Sequence, residues 1–341
     1  TYKSEPSANP LQLGHNGVAG IFHLDWDDQR FQTPIVPIGF EPFGYDRTRV
    51  PEGLSDWDKS KEPPLTPKDG FAVGQTIAQS IKGSNLKVAL VGCGGRGSGA
   101  ANQALSTAGD VKLVAMADAF KDRMDGSLKG LQKNHGLKAD VKEENKFIGF
   151  DAYKKAISMA DMVILATPPG FRPIHFAEAI KQGKNVFMEK PVAVDGKGVR
   201  QVLAAAAEAK KKNLKVGVGL MCRHSKARRE LFSRIKDGEI GEILALRAYR
   251  MQGPIASCFS GKKPADEQEL MFQIRRFHSF LWLSGGSFSD FFIHNIDECC
   301  WMKGAAMGDP NNAGGDPFDV IGTRDKWAWP IMAQATGGKH Y

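Results

Sequence analysis

The pattern of hydrophobic and polar positions changes near residue 86. Before it, nine of the 18 prolines and many aromatic residues follow neither the alternation of a strand nor the period of a helix. We interpret residues 1–80 as an extended, proline-rich N-terminal arm rather than a domain. Its apolar content argues against plain disorder and predicts that the arm lies on another surface, its own or a neighbouring subunit's.

From residue 86 onward, short apolar runs alternate with helical patterns. Such runs are typical of parallel strands buried on both faces. They are Leu86–Val91, Val111–Ala117, Met162–Ala166 and Asn185–Met188. The alternation predicts an α/β fold in which residues 81–211 form a doubly wound parallel sheet with flanking helices.

Residues 212–341 are predicted to form a second, mixed α+β domain with helices on one face of a sheet. The expected strands are Leu214–Val218, Ile243–Arg250 and Trp327–Ala335. The expected helices are Arg228–Asp237, Arg275–Leu283 and Asp290–Met302, preceded by an alanine- and lysine-rich helix over Gly198–Lys212.

Composition is that of an ordinary soluble protein, with 42% hydrophobic and 25% charged residues. The net charge of +8 raises the possibility of nucleic-acid binding, but the positive residues are spread along the chain. The lysine run at 210–212 closes a predicted helix, where cations are favoured. We therefore expect no nucleic-acid partner, and no stretch reaches the length of a membrane span.

Cysteine spacing and acidic residues predict neither a disulfide framework nor a metal site. The five cysteines are odd in number, and no pair has CxxC spacing. Asp25, Asp27 and Asp28 beside His23 are better explained as a solvated acidic turn than as a metal site.

A GxGxxG motif ends the first buried strand and opens a helical pattern. It comprises Gly92, Cys93, Gly94, Gly95, Arg96 and Gly97. In such a turn the first glycine permits the tight bend, the second lets the backbone approach a pyrophosphate, and the third lets helix and strand pack closely. The helix N-terminus then presents N–H groups and a positive dipole end to phosphates. The motif predicts a dinucleotide cofactor.

An acidic residue, Asp118, ends the second strand, 21 residues after Gly97. A carboxylate there can accept ribose hydroxyls and repel a 2′-phosphate, which favours NAD over NADP. Arg123 lies close in sequence and could instead pair with a 2′-phosphate, so NADP stays possible.

Two further motifs predict chemistry at the cleft. Glu189-Lys190-Pro191 follows the strand Asn185–Met188, at the end of a sheet where ligands bind. Asp290 and His294 are spaced to share one helix face, so that a histidine could accept a hydroxyl proton beside a carboxylate. Without a third ligand we favour acid–base chemistry over a metal at this pair. A surface lysine, a helix cap and a buried histidine are the plain alternatives.

Three separated motifs together resemble the glucose–fructose oxidoreductase/inositol dehydrogenase family, Gfo/Idh/MocA. They are the turn VGCGGRG and the segments Ala166–Pro191 and Gly285–Trp301. The resemblance covers about residues 86–301. It implies a Rossmann NAD-binding domain followed by an open-sheet α+β domain that binds substrate and often forms oligomers.

The resemblance also implies roles for single residues. Lys190 matches a lysine that touches nicotinamide and substrate, and Asp290 and His294 match the catalytic pair, with His294 as proton acceptor. Thr167 and Pro168 match the loop that lines the cofactor. The implied substrates are sugars, polyols and glycosides, and the implied assembly is a homo-oligomer.

Several interpretations stay open at this point. The protein could be a simple NAD-dependent dehydrogenase, a glycosidase that works by oxidation and elimination, or a non-catalytic NAD-binding assembly protein. The segment after residue 301 is shorter than the family pattern, so the second domain's sheet is expected to be incomplete. Free cysteines are typical of the cytoplasm, but exported relatives favour a periplasmic location reached by the twin-arginine route.

Overall fold

The computed structural model of the protein describes residues 20–26, 85–107, 109–250, 256–258, 261–307 and 330–337. The strands within these ranges are β1 (Gly20–Trp26), β2 (Leu86–Val91), β3 (Val111–Asp118), β4 (Lys146–Ile148), β5 (Met162–Leu165), β6 (Asn185–Met188), β7 (Val216–Val218) and β8 (Pro330–Gly337). The α-helices are α1 (Gly95–Leu105), α2 (Lys121–His135), α3 (Ala152–Ser158), α4 (Arg172–Lys181), α5 (Gly196–Lys211), α6 (Lys226–Lys236), α7 (Glu269–Arg275), α8 (Leu281–Ser284) and α9 (Ile293–Met307). None of these helices is long and apolar enough to cross a membrane.

Six parallel strands form one sheet in the order β4-β3-β2-β5-β6-β7. The order reverses between β2 and β5, which opens a crevice at the carboxyl ends of these two strands. The predicted doubly wound Rossmann sheet is thereby confirmed. The sequence pattern predicts neither β4 nor the helix α3, because runs of three and seven residues are too short to show a period.

Buried side chains cover both faces of the sheet. Along β2, Val88 and Leu90 pack against α1 and α2, whereas Ala89 and Val91 belong to a second cluster that includes α3, α4 and α5. Burying a leucine or phenylalanine side chain contributes about 1.5–3 kcal/mol relative to leaving it exposed. Both layers therefore hold the strand ends, and the loops that follow them, in place.

The sixth strand extends the sheet past the expected domain boundary at residue 211. β7 pairs with β6, with Val218 opposite Met188. The sequence placed this strand, Leu214–Val218, in the second domain, because a parallel strand after a long helix carries no signal of which sheet it joins.

Beyond β7, helices α6 and α9 pack against each other around a fully buried tryptophan. Trp301 is 0% exposed and its indole stacks on Phe232 with ring centroids 4.8 Å apart. Arg223 donates to both carboxylate oxygens of Asp297 from the segment before α6. These contacts fix the start of α9, where the predicted catalytic histidine lies.

Two predicted elements in this region are wrong. Residues 243–250 carry no regular secondary structure; Leu244 and Tyr249 are largely exposed, and no described strand lies beside them. The predicted helix Arg275–Leu283 is instead three short pieces: α7, a 3₁₀ turn over Phe277–Ser279, and α8. Phe280 has extended backbone, with φ −120° and ψ 118°, which separates the last two.

One piece of the N-terminal arm is a strand. β1 pairs antiparallel with β8, from Gly20 opposite Gly337 to Trp26 opposite Pro330. β8 matches most of the predicted strand Trp327–Ala335, whose first residues lie outside the described ones. The rest of the arm, 1–19 and 27–80, also lies outside them, so its packing across a neighbouring subunit stays a prediction, as does the open sheet of the second domain.

Candidate active site

The glycine turn has the backbone geometry that its sequence predicts. Gly92 has φ +94°, and a Cβ on it would lie 2.5 Å from the Thr167 backbone nitrogen. A Cβ on Gly97 would overlap the Gly92 carbonyl oxygen. Gly94 is the N-cap residue of α1, and since it has no side chain it offers no side-chain acceptor to the N–H groups of the first helical turn. Free N–H groups at the amino end of α1 are suited to an anion.

Asp118 is held beside this turn at the carboxyl end of β3. Its Oδ2 accepts the Cys93 N–H at 2.6 Å, and its Oδ1 accepts the Phe120 N–H at 2.9 Å. Each carboxylate oxygen retains a lone pair that can accept a hydrogen bond from a hydroxyl group. Arg123 lies near the same turn and donates to the Arg275 carbonyl at 3.0 Å. The structure therefore places Asp118, which favours NAD, and Arg123, which could pair with a 2′-phosphate, on one wall.

A cleft of about 880 Å³ lies along the carboxyl ends of β2, β3, β5 and β6. Its other wall comes from residues between 256 and 291. Ten of the predicted site residues line it: Gly92, Gly94, Gly95, Arg96, Asp118, Thr167, Pro168, Glu189, Lys190 and Asp290. Gly97 and His294 do not. Gly97 lies under the turn, where it sets the approach of α1 to the strand.

Lys190 bridges the two walls of the cleft. Its Nζ donates to the Asp290 Oδ1 at 3.0 Å and also to the Asp290 backbone carbonyl. Both side chains are mostly buried, with 17% and 8% of the side-chain surface exposed. The lysine follows β6 of the Rossmann sheet, while the aspartate lies in a π-helical turn, Phe288–Phe292, that leads into α9. Residues 100 positions apart thus form one ion pair facing the cleft.

His294 is buried and its Nδ1 has no hydrogen-bond partner among the described residues. Burial, together with the positive charges of Lys190 and Arg250, lowers the pKa of His294 to about 4, against the weaker opposing effect of Asp297 and Asp290. This value lies well below the ordinary pKa of an imidazole, so His294 is neutral at neutral pH. Asp297 is bound by Arg223 and makes no hydrogen bond to the His294 Nδ1, which has none among the described residues.

Arg172, to which the sequence analysis assigns no role, ties the two loops of the Rossmann wall together. The residue is 2% exposed, and its guanidinium donates to the carbonyl oxygens of Thr167, Glu189 and Pro191, the last at 2.9 Å. Burial lowers its pKa to about 10, so it stays charged at neutral pH. The two carbonyls that flank Lys190 are thereby fixed.

Other buried polar groups support the same loops. Glu189 accepts a hydrogen bond from Arg96 Nε at 2.7 Å, and this contact links the loop after β6 to the amino end of α1. His175 lies 3.0 Å from the Thr167 hydroxyl, and burial, aided by Arg172, lowers its pKa to about 3. His175 is therefore neutral and supports the loop.

Replacing Arg172 by methionine is expected to lower the free energy of unfolding by at least about 3 kcal/mol, because three carbonyls lose a charged donor and leaving such a group unsatisfied costs about 1–3 kcal/mol each. Chemical denaturation of the full chain measures this. Arg200→Met, an exposed arginine on α5, is the matched control. Equal stability of the two variants would mean that the carbonyls find other partners.

A glycine turn at the switch point of a parallel sheet, with an acid ending the next strand, defines a dinucleotide-binding α/β domain. Comparison with known families agrees: residues 86–219 match the family described as "Oxidoreductase family, NAD-binding Rossmann fold", Gfo/Idh/MocA. Residues 86–219 thus resemble the NAD-binding Rossmann domain of the Gfo/Idh/MocA oxidoreductases.

Similar proteins include inositol dehydrogenases. The chain is 25% identical over 224 residues to scyllo-inositol 2-dehydrogenase (NAD(+)) of Bacillus subtilis, covering 65% of this chain and 55% of the relative. It is 31% identical over 222 residues to an inositol 2-dehydrogenase of Ralstonia nicotianae, covering 64% and 55%. A solved myo-inositol 2-dehydrogenase from Lactobacillus plantarum is 26% identical, with a TM-score of 0.47 and coverage of 64% and 57%. The chain thus spans about half the length of these relatives.

Proposed function

We propose that this protein is an NAD-dependent oxidoreductase that moves a hydride between nicotinamide and a hydroxyl-bearing carbon of a sugar or polyol. The observation that carries the proposal is the Lys190–Asp290 pair, which lines the same cleft as the glycine turn. The names of the inositol dehydrogenases to which the chain is similar support the same reaction and a polyol substrate.

The residues at the cleft fit a dinucleotide. The amino end of α1 would hold the pyrophosphate, the Asp118 carboxylate the ribose hydroxyls, and the Thr167–Pro168 loop the nicotinamide side. A side chain at Gly92 or Gly97 would clash with neighbouring backbone atoms, so both glycines are needed for the turn to take this shape. When bound, NAD supplies a carbon that accepts or returns a hydride.

Lys190 and Asp290 would bind the reacting hydroxyl. An ammonium group beside this oxygen lowers the cost of removing its proton, and Asp290 keeps that ammonium aimed into the cleft. His294, one helical turn beyond Asp290, is proposed as the proton acceptor. Since His294 does not line the cleft, the proton from the substrate hydroxyl would have to reach it through a neighbouring group or a water molecule.

The preference between NAD and NADP depends on Asp118. A 2′-phosphate there would meet a carboxylate that two backbone N–H groups already hold in place, so the wild-type protein is expected to bind NAD more tightly. Asp118→Asn should reduce the ratio of NAD affinity to NADP affinity by about tenfold, because the substitution removes about 1.4 kcal/mol of repulsion. Calorimetric titration with both nucleotides tests this. Tighter NADP binding by the wild type would contradict it and implicate Arg123.

The pH dependence of turnover follows from the lowered pKa of His294. A proton acceptor must be deprotonated, so activity should be retained above, and lost as the pH falls through, a value of about 4. His294→Ala should remove this limb and lower kcat about 100- to 10,000-fold. A wild-type limb near neutrality that survives in His294→Ala would show that another group accepts the proton.

Turnover itself is tested with the full chain, NAD and a panel of myo-inositol, scyllo-inositol and D-glucose. Stoichiometric NADH formation is expected with at least one of them. Tight NAD binding without NADH formation from sugars or polyols would favour a non-catalytic NAD-binding protein.

A further inference from the structure

A continuous segment of the second wall, residues 267–283, touches the Rossmann domain at two separate loops. We call this segment the strap. Phe120, in the loop after β3, is 7% exposed and packs with Ile274 of the strap in one apolar cluster. The carbonyl oxygen of Trp282 lies against the turn before α4, where a Cβ on Gly170 would be 2.7 Å from it. The strap is therefore fixed to the loops after β3 and after β5.

These two anchor points lie on either side of the glycine turn. β3 and β5 are the neighbours of β2 in the sheet, and the glycine turn follows β2. A segment fixed to both flanking loops must therefore cross the carboxyl end of β2. Gly94 and Asp118 line the cleft from the Rossmann side. The strap residues that line it include Leu270, Ile274, Arg275, Phe277 and Trp282. A dinucleotide at the turn would lie between the sheet and the strap.

An ion pair joins the strap to the first turn of α2. The Arg275 guanidinium donates to both carboxylate oxygens of Asp122, at 2.9 and 3.3 Å, and its Cζ lies 4.1 Å from the centroid of the Phe120 ring. Arg123 donates to the backbone carbonyl of Arg275 at 3.0 Å. The hydrogen bonds from Arg275 lower the pKa of Asp122, so the pair is charged at neutral pH. Asp122 itself does not line the cleft, and its carboxylate is thus not a ligand for the nucleotide.

We propose that the strap is a gate over the nucleotide site and that the Arg275–Asp122 pair holds it closed. The two side chains are partly exposed, by 35% and 65%, so the pair forms and breaks readily. The buried contact of Phe120 with Ile274 returns the strap to the same position. NAD and NADH would enter and leave while the pair is broken, so the pair sets how fast they exchange rather than how tightly they bind. This inference rests on the proposed function, of which it uses only nucleotide binding.

Asp122→Asn in the full chain tests the gate, and Asp125→Asn is the matched control. Asp125 is paired with Lys121 on the same helix instead of with the strap, so both substitutions remove one negative charge from α2. Stopped-flow fluorescence measures how fast NADH binds, and how fast it leaves when excess NAD is added. Asp122→Asn should raise both rate constants about 3- to 5-fold and leave Kd unchanged, because the gate opens more often while the groups that bind the nucleotide stay the same. Asp125→Asn should match the wild type.

Hydrogen exchange provides a second measurement that needs no nucleotide. Backbone amides of residues 269–283 should exchange about 3- to 5-fold faster in Asp122→Asn than in the wild type, because local opening of the strap exposes them to solvent. Amides of the sheet should exchange as before, since the substitution leaves the Rossmann core intact. Equal exchange of the strap in the two proteins would mean that the pair does not hold it.

The outcomes separate this inference from the proposed function. If Asp122→Asn binds and releases NADH at the wild-type rates, the gate is refuted while the proposed function stands. If only one rate constant changes and Kd changes with it, Asp122 acts on the nucleotide through its charge, and the inference is again wrong. If both rate constants rise as expected but the wild type oxidises no polyol, the gate is supported and the proposed reaction fails. If the wild type does not bind NADH, the proposed function fails and the gate fails with it.

Discussion

Replacing Lys190 by methionine is expected to lower kcat by about 100- to 10,000-fold, the range that a positioned proton-transfer group contributes. Methionine keeps much of the length of the side chain but removes the charge beside the reacting oxygen. It also leaves the Asp290 Oδ1 without its donor. NAD should bind with nearly unchanged affinity, because the glycine turn and Asp118 are untouched. Single-turnover kinetics and nucleotide titration measure the two effects separately.

Lys181→Met is the matched control, since Lys181 is 80% exposed at the end of α4 and far from any proposed chemistry. It should behave like the wild type. Near-wild-type turnover by Lys190→Met would show that the Lys190–Asp290 pair only joins the two walls of the cleft.

Gly97→Ala should abolish NAD binding and destabilise the Rossmann domain. The added methyl group would overlap the carbonyl oxygen of Gly92, which is backbone and cannot rotate away. Relief requires α1 to move off β2, and overpacking of this kind costs about 1–3 kcal/mol and sometimes more. The displaced helix would also carry its N–H groups away from the phosphates. Denaturant unfolding and NAD titration check both consequences.

A glycine outside the cleft provides the control. A Cβ on Gly130, which is exposed on α2, meets nothing within 4 Å, so Gly130→Ala should keep NAD affinity and leave stability unchanged or slightly higher. If Gly97→Ala bound NAD like Gly130→Ala, close packing of helix and strand would not set the cofactor turn.

The Rossmann sheet could be predicted from the sequence because its strands are buried on both faces. β2 and β5 are almost wholly apolar runs, and no other element type explains them next to glycine turns. The segment 243–250 is apolar in alternation too, yet it forms no strand. A strand requires a neighbour with matching hydrogen bonds, and a sequence pattern does not say whether that neighbour is present.

Some residues of the candidate site could likewise be predicted from the sequence, and others could not. Gly92, Asp118 and Lys190 follow directly from strand ends, so their meeting at one cleft could be predicted. Arg172 lies within the motif Ala166–Pro191, yet its role could not be predicted, because that role depends on which carbonyl oxygens the fold brings to it. The low pKa of His294 has the same origin, because burial and two neighbouring cations are properties of the folded chain.

The central claim is hydride transfer between a polyol carbon and nicotinamide, and isotope transfer tests it most directly. The full chain is incubated with NAD and myo-inositol, scyllo-inositol or D-glucose, each deuterated at every carbon-bound hydrogen, and the nucleotide is examined by mass spectrometry and proton NMR. We predict NADH carrying one deuterium at the nicotinamide C4, on a single face, from at least one of the three. NADH without deuterium, or no reduced nucleotide from any of them despite bound NAD, would contradict the claim.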